Sequence, residues 1–295
     1  MLTIDSDVQK AAEAALVGRK GACVIVDSGT GAVKALASAP TYNNNEIDKL
    51  LSNQSEDSSA MFNRASQALY APGSTFKILS LASSFMENVC KEDDVFDAPG
   101  TLDFYGGKVT NYAKNSFGRI TLSRATEVSS NTVYAQVGER LTADKLVKNA
   151  ENFMFNKKIN FDIPLSEGLM PDPDEMTMWE TGWAAAGVPV GEHKSPAGPQ
   201  TTVLQMALVG CAVANNGVIN QPYLVKQIKN PSGETSYTAS TSELARPLSP
   251  DVAKRVAAVL EGVVKRGTGT PAAISGVTIA GKTGTAEKGG GRDDS

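Results

Sequence analysis

Ser74 and Lys77 stand at the start of an apolar run, Ile78 to Val89. A hydroxyl and an amine three residues apart lie on one face of a helix. If the amine is neutral, it is a general base beside a nucleophile. Two more clusters hold groups that could join the same chemistry: Ser129-Ser130-Asn131 and Lys282-Thr283-Gly284-Thr285. Singly, each has an ordinary alternative. Ser74 could be a helix N-cap. Ser129 and Asn131 could shape a turn between helices. Lys282 could be a solvated lysine at a strand end.

The surroundings of Ser74 weigh against the ordinary reading. Pro72-Gly73 breaks the preceding chain, and nothing after Ser74 breaks a helix until about Asn88. Phe76, Ile78, Leu79, Leu81, Ala82, Phe85, Met86 and Val89, with small Ser80, Ser83 and Ser84 between them, leave almost no polar stripe. Such a helix is buried. A capping box would put Glu or Gln where Lys77 stands. A cation there also faces the positive end of the helix dipole. Burial and dipole together predict a lysine with a lowered pKa, neutral in the folded site.

The 295 residues suffice for one large domain. With 41% hydrophobic and 20% charged residues and a net charge of −4, the composition is that of an ordinary globular protein. No basic cluster suggests nucleic acid. No run approaches the ~18 apolar residues of a membrane span, and none of the residues given reads as a signal peptide. Cys23, Cys90 and Cys211 have neither metal-ligand nor disulfide spacing and read as buried free thiols. The single histidine, His193, lies in the loop composition Gly191-Glu192-His193-Lys194-Ser195-Pro196 and reads as solvated. A Ser-His-Asp triad or histidine metal site is therefore disfavoured, and no metal or cofactor is expected.

In chain order, Asp5 to Leu16 reads as an amphipathic helix. Ala22 to Asp27 and Ala32 to Ser38 read as a hairpin across Ser28-Gly29-Thr30-Gly31. Pro40 to Ser59 is loop-like. Asp97 to Val109 reads as turns and short strands. Thr121 to Leu141 reads as helix, tight turn at Ser129-Ser130-Asn131, helix; Thr142 should cap a further helix to about Phe155. A loop spans Asn156 to Asp174, and a strong helix spans Thr201 to Ala214. Tyr223 to Ile228 and Ser236 to Ala239 flank a turn at Pro231-Ser232-Gly233. Ser249-Pro250 starts a helix to Val264. Val277 to Ala280 reads as a strand leading into Gly281-Lys282-Thr283-Gly284-Thr285, followed by a Gly-rich charged tail from Gly289 to Ser295. There is no internal repeat and no clear linker.

Gly276 to Thr283 matches the phosphate-loop pattern G-x-x-x-x-G-K-[ST] letter for letter. The pattern needs a strand before its first Gly and a helix at its Lys. Here the expected strand lies inside the loop, and Gly284 and Gly289-Gly290-Gly291 follow. The match reads as accidental.

Ser74-x-x-Lys77, Ser129-x-Asn131 and Lys282-Thr283-Gly284, in that order, resemble the three-part signature of the penicillin-recognising serine enzymes. The chain is similar to the transpeptidase domain of class B penicillin-binding proteins. Further similarities are Leu2-Thr3-Ile4-Asp5 with Gln9-Lys10-Ala11-Ala12, Asn63-Arg64-Ala65, Leu204-Gln205-Met206-Ala207 and Ala214-Asn215-Asn216-Gly217.

The resemblance implies an α/β fold of the α+β type, β-lactamase/transpeptidase-like. A mainly antiparallel sheet flanked by helices stands beside an all-helical subdomain, so residues 1–295 form one domain of two subdomains. It implies a catalytic set of Ser74, Lys77, Ser129, Asn131 and Lys282. Ser129 would relay protons between Lys77, Lys282 and the substrate nitrogen. Asn131 would hold Lys77 and donate its amide to the substrate backbone. Lys282, kept charged, would attract the substrate's terminal carboxylate, with hydroxyls from Thr283 and Thr285. Gly284 would let a peptide lie along the strand edge. The backbone N–H groups of Ser74 and Thr285 would form the oxyanion hole.

The implied activity is a peptidoglycan D,D-transpeptidase on the outer face of the bacterial plasma membrane. Its partners would be stem peptides, β-lactams as covalent inhibitors and other cell-wall synthesis proteins. Any membrane attachment would come from an N-terminal anchor not in this sequence. Family members also carry strands and a helix beyond the Lys-Thr-Gly segment, so the sequence is expected to be cut at both ends, with an exposed edge and weakened stability. Two alternatives compete: a relative with water as acceptor, a D,D-carboxypeptidase or β-lactamase, and a non-catalytic β-lactam sensor or scaffold. Class A β-lactamases deacylate with a dedicated glutamate, in a family pattern of Glu with Asn four residues on. Here Glu167 is followed by Pro171 and Glu175 by Trp179. Class D relatives usually carry Val where Asn131 stands.

Overall fold

The computed structural model describes residues 1–48, 56–191 and 194–285. His193 and the tail from Gly289 to Ser295 lie outside the described residues, as do residues 49–55 of the loop-like stretch.

Asp5 accepts hydrogen bonds from the N–H groups of Asp7 and Val8, and so starts helix α1, Ser6–Ala15. Strands β1, Gly21–Val26, and β2, Val33–Ala39, form the expected antiparallel hairpin. Val33, Ala35 and Ala37 alternate inward along β2. Ala35 and Ala37 pack with Ala12 of α1. The N-terminus is stitched to a distant segment: Thr3 N–H donates to the Leu224 carbonyl at 2.8 Å.

Helix α2 covers Lys77–Met86 and follows a single 3-10 turn, Gly73–Phe76. It is buried as its composition predicts. Leu79, Leu81, Ala82 and Phe85 join the main core, and even Ser80, Ser83 and Ser84 are buried. Each such Leu or Phe contributes about 1.5–3 kcal/mol of burial, so α2 is firmly anchored. The Ser80 hydroxyl donates to the Ala185 carbonyl at 2.7 Å.

Short strands follow: β3, Val95–Ala98; β4, Thr101–Phe104; β5, Gly107–Thr110; and β6, Gly118–Thr121. β3 pairs with β6 and β4 with β5, all antiparallel. Helix α3, Leu122–Glu127, ends at a turn, and Ser130 starts α4, Asn131–Asn152, by accepting from the Val133 N–H. Thr142 leaves helical geometry at φ 66°, ψ 162°, and helix resumes beyond it. Helix α5, Met178–Ala186, was not legible in the apolar pattern, although Thr177 and Glu180 form a full capping box at its start. It packs on α4.

Thr202 caps α6, Val203–Ala214. β7, Ile219–Asn220, pairs with β10, Glu243–Ala245, and β8, Gln227–Lys229, pairs with β9, Thr235–Thr238. Ser249 and Pro250 start α7, Pro250–Arg266, which buries Val252, Val256, Val259, Leu260 and Val263. Helices and antiparallel ladders thus make the α+β mixture expected.

One expectation needs correction. Val277 to Ala280 is not a strand: no ladder pairs it among the described residues. β-formers supply a propensity, but a strand exists only with a partner. The following segment is held instead by Gly281 N–H donating to the Leu260 carbonyl of α7 at 3.3 Å. Cys90 and Cys211 are buried free thiols, whereas Cys23 is half-buried.

Candidate active site

The site is built on two turns and one irregular stretch of chain. In the first, Gly73 has φ 53°, a left-handed conformation that costs glycine little. This lets the chain fold sharply into the 3-10 turn, with Ser74 half-buried on it and Lys77 fully buried one turn on. The second joins α3 to α4. Ser129 occupies it with φ 60°, an uncommon conformation for a residue with a side chain. Asn131 follows as the first residue of α4. The third part is the irregular stretch 281–285, beyond α7.

These segments bring the sequence-predicted groups together. Lys77 Nζ lies 2.8 Å from Ser74 Oγ, 2.6 Å from Asn131 Oδ1, 3.3 Å from Ser129 Oγ and 3.2 Å from the Ser129 carbonyl. An ammonium has three donors and no acceptor, so it cannot serve four oxygens equally. As a neutral amine, Lys77 has a lone pair that can take the Ser74 proton. Asn131 is itself fixed, because its Nδ2 donates to the Thr110 carbonyl at 2.8 Å. On the far side of Ser129, Lys282 Nζ donates to Ser129 Oγ at 2.8 Å and to the Thr283 carbonyl at 2.9 Å. Ser129 Oγ therefore bridges two lysines, and Lys77 reaches Ser74.

Burial pushes the Lys77 amine well below the usual lysine range, and the neighbouring positive charge of Lys282 pushes it further. The sequence pointed to burial and the helix dipole; the structure adds the second lysine as a cause. Burial also lowers Lys282, to about 8. At pH 7 a group with that value is still roughly 90% protonated, whereas burial and the Lys282 charge favour the neutral form of Lys77.

The remaining predicted residues lie alongside. A side chain at Gly284 would put its Cβ 2.9 Å from Thr75 Cγ2 and 3.2 Å from the Pro72 carbonyl oxygen. The absence of a side chain thus lets the 281–285 stretch lie against the turn that carries Ser74. The Thr283 hydroxyl is 2.6 Å from that of Thr268. Thr285 is exposed next to it. The accidental phosphate-loop pattern ends in this stretch, and its lysine serves Ser129.

Three neighbours were not found in the sequence. The Tyr134 ring lies under Lys77, 5.4 Å from Nζ to its centroid, and its hydroxyl is 2.8 Å from Thr126 Oγ1. Thr110 holds Asn131, and Thr268 holds Thr283. Tyr134 follows Asn131 by three positions and so shares its helix face, a signal that could have been read. The other two contacts are long-range and leave no local trace.

The geometry agrees with comparison to known proteins. The family model for the penicillin binding protein transpeptidase domain matches residues 21–295. The D,D-transpeptidase domain of a peptidoglycan glycosyltransferase from Eggerthella lenta superposes with a TM-score of 0.96 at 51% identity, covering 98% of this chain and 72% of that one. Penicillin-binding protein A from M. tuberculosis, solved as an imipenem acyl-enzyme complex, gives a TM-score of 0.85 at 27% identity, with 98% and 68% covered. The peptidoglycan D,D-transpeptidase PbpA of Mycolicibacterium smegmatis is 29% identical, over 97% of this chain and 60% of its own length. The chain spans about half the length of the curated relatives it matches, 44% of the first and 60% of the second. The match across nearly the whole chain, with the side chains of all three motifs meeting around Lys77 and Ser129, means that the chain belongs to the penicillin-binding protein transpeptidase domain family.

Proposed function

We propose that this chain is the catalytic domain of a serine D,D-transpeptidase that cross-links peptidoglycan stem peptides and is acylated by β-lactams. The observation that carries the reading is Ser74 Oγ at 2.8 Å from a fully buried Lys77 amine whose pKa is held low. Ser74 gives its proton to Lys77 as its oxygen attacks the carbonyl of the penultimate D-alanine. The Ser74 and Thr285 N–H groups receive the oxyanion. Lys77 returns the proton through Ser129 to the leaving nitrogen, the amide C–N bond breaks and terminal D-alanine departs. Lys282 and the Thr285 hydroxyl hold the terminal carboxylate, with Thr283 beside them. An acceptor amine then attacks the ester and loses its proton along the same relay, freeing Ser74. The substrate lies outside the cytoplasm, which puts the domain on the outer face of the membrane, where other cell-wall synthesis proteins are its natural neighbours. No helix among the described residues is long and apolar enough to cross a membrane.

The test is covalent. Incubation with penicillin should give a single adduct by intact mass, persisting for many minutes. Deacylation needs a base that aims water at the ester. Glu175 accepts from the N–H and hydroxyl of Ser195, at 2.9 and 2.6 Å, and Glu167 is exposed. Rapid multiple-turnover hydrolysis of a chromogenic cephalosporin would overturn the reading in favour of a β-lactamase.

Gly284→Val should slow acylation by roughly tenfold to a hundredfold, since displacements of about 1 Å in a catalytic array cost that much. The added side chain meets Thr75 and the Pro72 carbonyl and pushes Lys282 and Thr285 away from Ser74. Stopped-flow acylation checks it; a parent-like rate would mean that the close approach is irrelevant.

A further inference from the structure

The geometry points to Glu127 as a positioning residue that, through Arg266 and Thr268, fixes Lys282 against Ser129. Glu127 is the last residue of α3 and only 2% exposed, two positions before Ser129. Its carboxylate accepts from Arg124 at 3.0 Å and from Arg266, at the end of α7, at 2.6 Å. Arg124 also donates to the Arg266 carbonyl at 3.1 Å. The Glu127 carbonyl receives the Thr268 N–H at 2.9 Å. Glu127 thus grips the turn after α7 by side chain and by backbone. From that turn the Thr268 hydroxyl reaches Thr283 at 2.6 Å, and Thr283 is the neighbour of Lys282.

The consequence is a closed loop of contacts. Ser129 is tied to Glu127 through the chain, and Lys282 through Arg266, Thr268 and Thr283. Both partners of the 2.8 Å Lys282–Ser129 bond are therefore referred to one buried carboxylate. The stretch 277–285 has no ladder among the described residues to set its register. The Thr268–Thr283 contact is one fixed point along it. A buried carboxylate between two guanidiniums is costly to leave half-paired, so the turn is held in one place. Lys282 faces Lys77 of α2 across Ser129, while the Glu127 carboxylate is shared by Arg124 and Arg266. Lys282 loosened from Ser129 gains water, and its pKa moves back towards the ordinary lysine value.

The inference rests on the reading of Lys282 given above, so the test carries one measurement that needs no activity. Thr268→Val removes an exposed hydroxyl and keeps the shape. In the full chain it should slow penicillin acylation at pH 7 by about tenfold, the cost of a sub-ångström displacement, and leave the melting temperature unchanged. The Lys282 pKa, followed by NMR of 13C-methylated lysines, should rise from about 8. Thr268→Ser should restore both. Glu127→Gln should give a similar or larger loss, and combining it with Thr268→Val should add little, because the two act through one path. A parent-like rate and Lys282 titration in Thr268→Val would overturn the inference, as would full additivity of the two variants. If the parent takes no acyl group, the functional reading fails, and the Lys282 titration alone decides on the tether.

Discussion

Ser74→Ala should take up no β-lactam at all. Intact mass after prolonged incubation should show the unmodified chain, with the acylation rate down by about six orders of magnitude, the scale seen when a serine nucleophile is removed. The effect is chemical because the site is otherwise kept. Lys77 retains Asn131 Oδ1 at 2.6 Å and both Ser129 oxygens within 3.3 Å. The lost contact is one hydrogen bond, worth about 0.5–1.5 kcal/mol, so the variant should melt close to the parent. Competing serines are poorly placed: Ser80, Ser83, Ser84 and Ser130 are buried. Ser129 is half-buried and within 3.3 Å of Lys77, so peptide mapping must look there first. An adduct on Ser129, or on the alanine variant in any form, would move the nucleophile.

The physics of each element decides how much of this could be read beforehand. Helix α2 was legible because its burial is written in its own residues: an apolar run with only serine between needs no knowledge of its neighbours. The hairpin of β1 and β2 and the Ser249-Pro250 start of α7 were legible for the same reason. Their turn and cap chemistry is local. Helix α5 shows the limit of reading apolar pattern before caps, since its capping box stood in the sequence at Thr177 and Glu180. Residues 277–280 show the opposite error. Their β-formers are local, but pairing is not, and the bond to α7 is made by Gly281 just beyond them.

The site divides in the same way. Ser74 and Lys77 could be paired from spacing alone. The meeting of Ser129, Asn131 and Lys282 around them came only from a resemblance in motif order, and the structure gives it distances. The Tyr134 ring was readable from its helix face. Thr268 and Glu127 were not, because their contacts cross 15 residues to Thr283 and 139 residues to Arg266.

Lys77→Arg should lose acylation by about a thousandfold or more, in keeping with the 10²–10⁴ supplied by a positioned general base. Arginine cannot be deprotonated in a protein, so it brings a fixed charge where the neutral lysine acts, and it can donate to Ser74 and never accept from it. The parent should show why this matters through its pH profile. A free lysine is neutral to only about one part in 2,500 at pH 7. Burial and the Lys282 charge raise that fraction in Lys77 by lowering its pKa. The acylation rate should therefore rise with pH through the lowered Lys77 pKa, then fall through about 8 as Lys282 loses its proton. Stability carries the same signature. Between the folded and the ordinary lysine pKa, the unfolded chain binds the Lys77 proton and the folded one does not, so stability rises with pH across that window. In Lys77→Arg the rising limb of the acylation profile should vanish, and the stability rise should shrink to the part that Lys282 supplies above about 8. The guanidinium must also be buried beside Lys282, so the variant should melt earlier, and the rate is to be taken per folded molecule. An arginine variant that acylates at the parent rate, or a parent whose rate ignores pH below 8, would remove Lys77 as the base and leave Ser129 as the group to test.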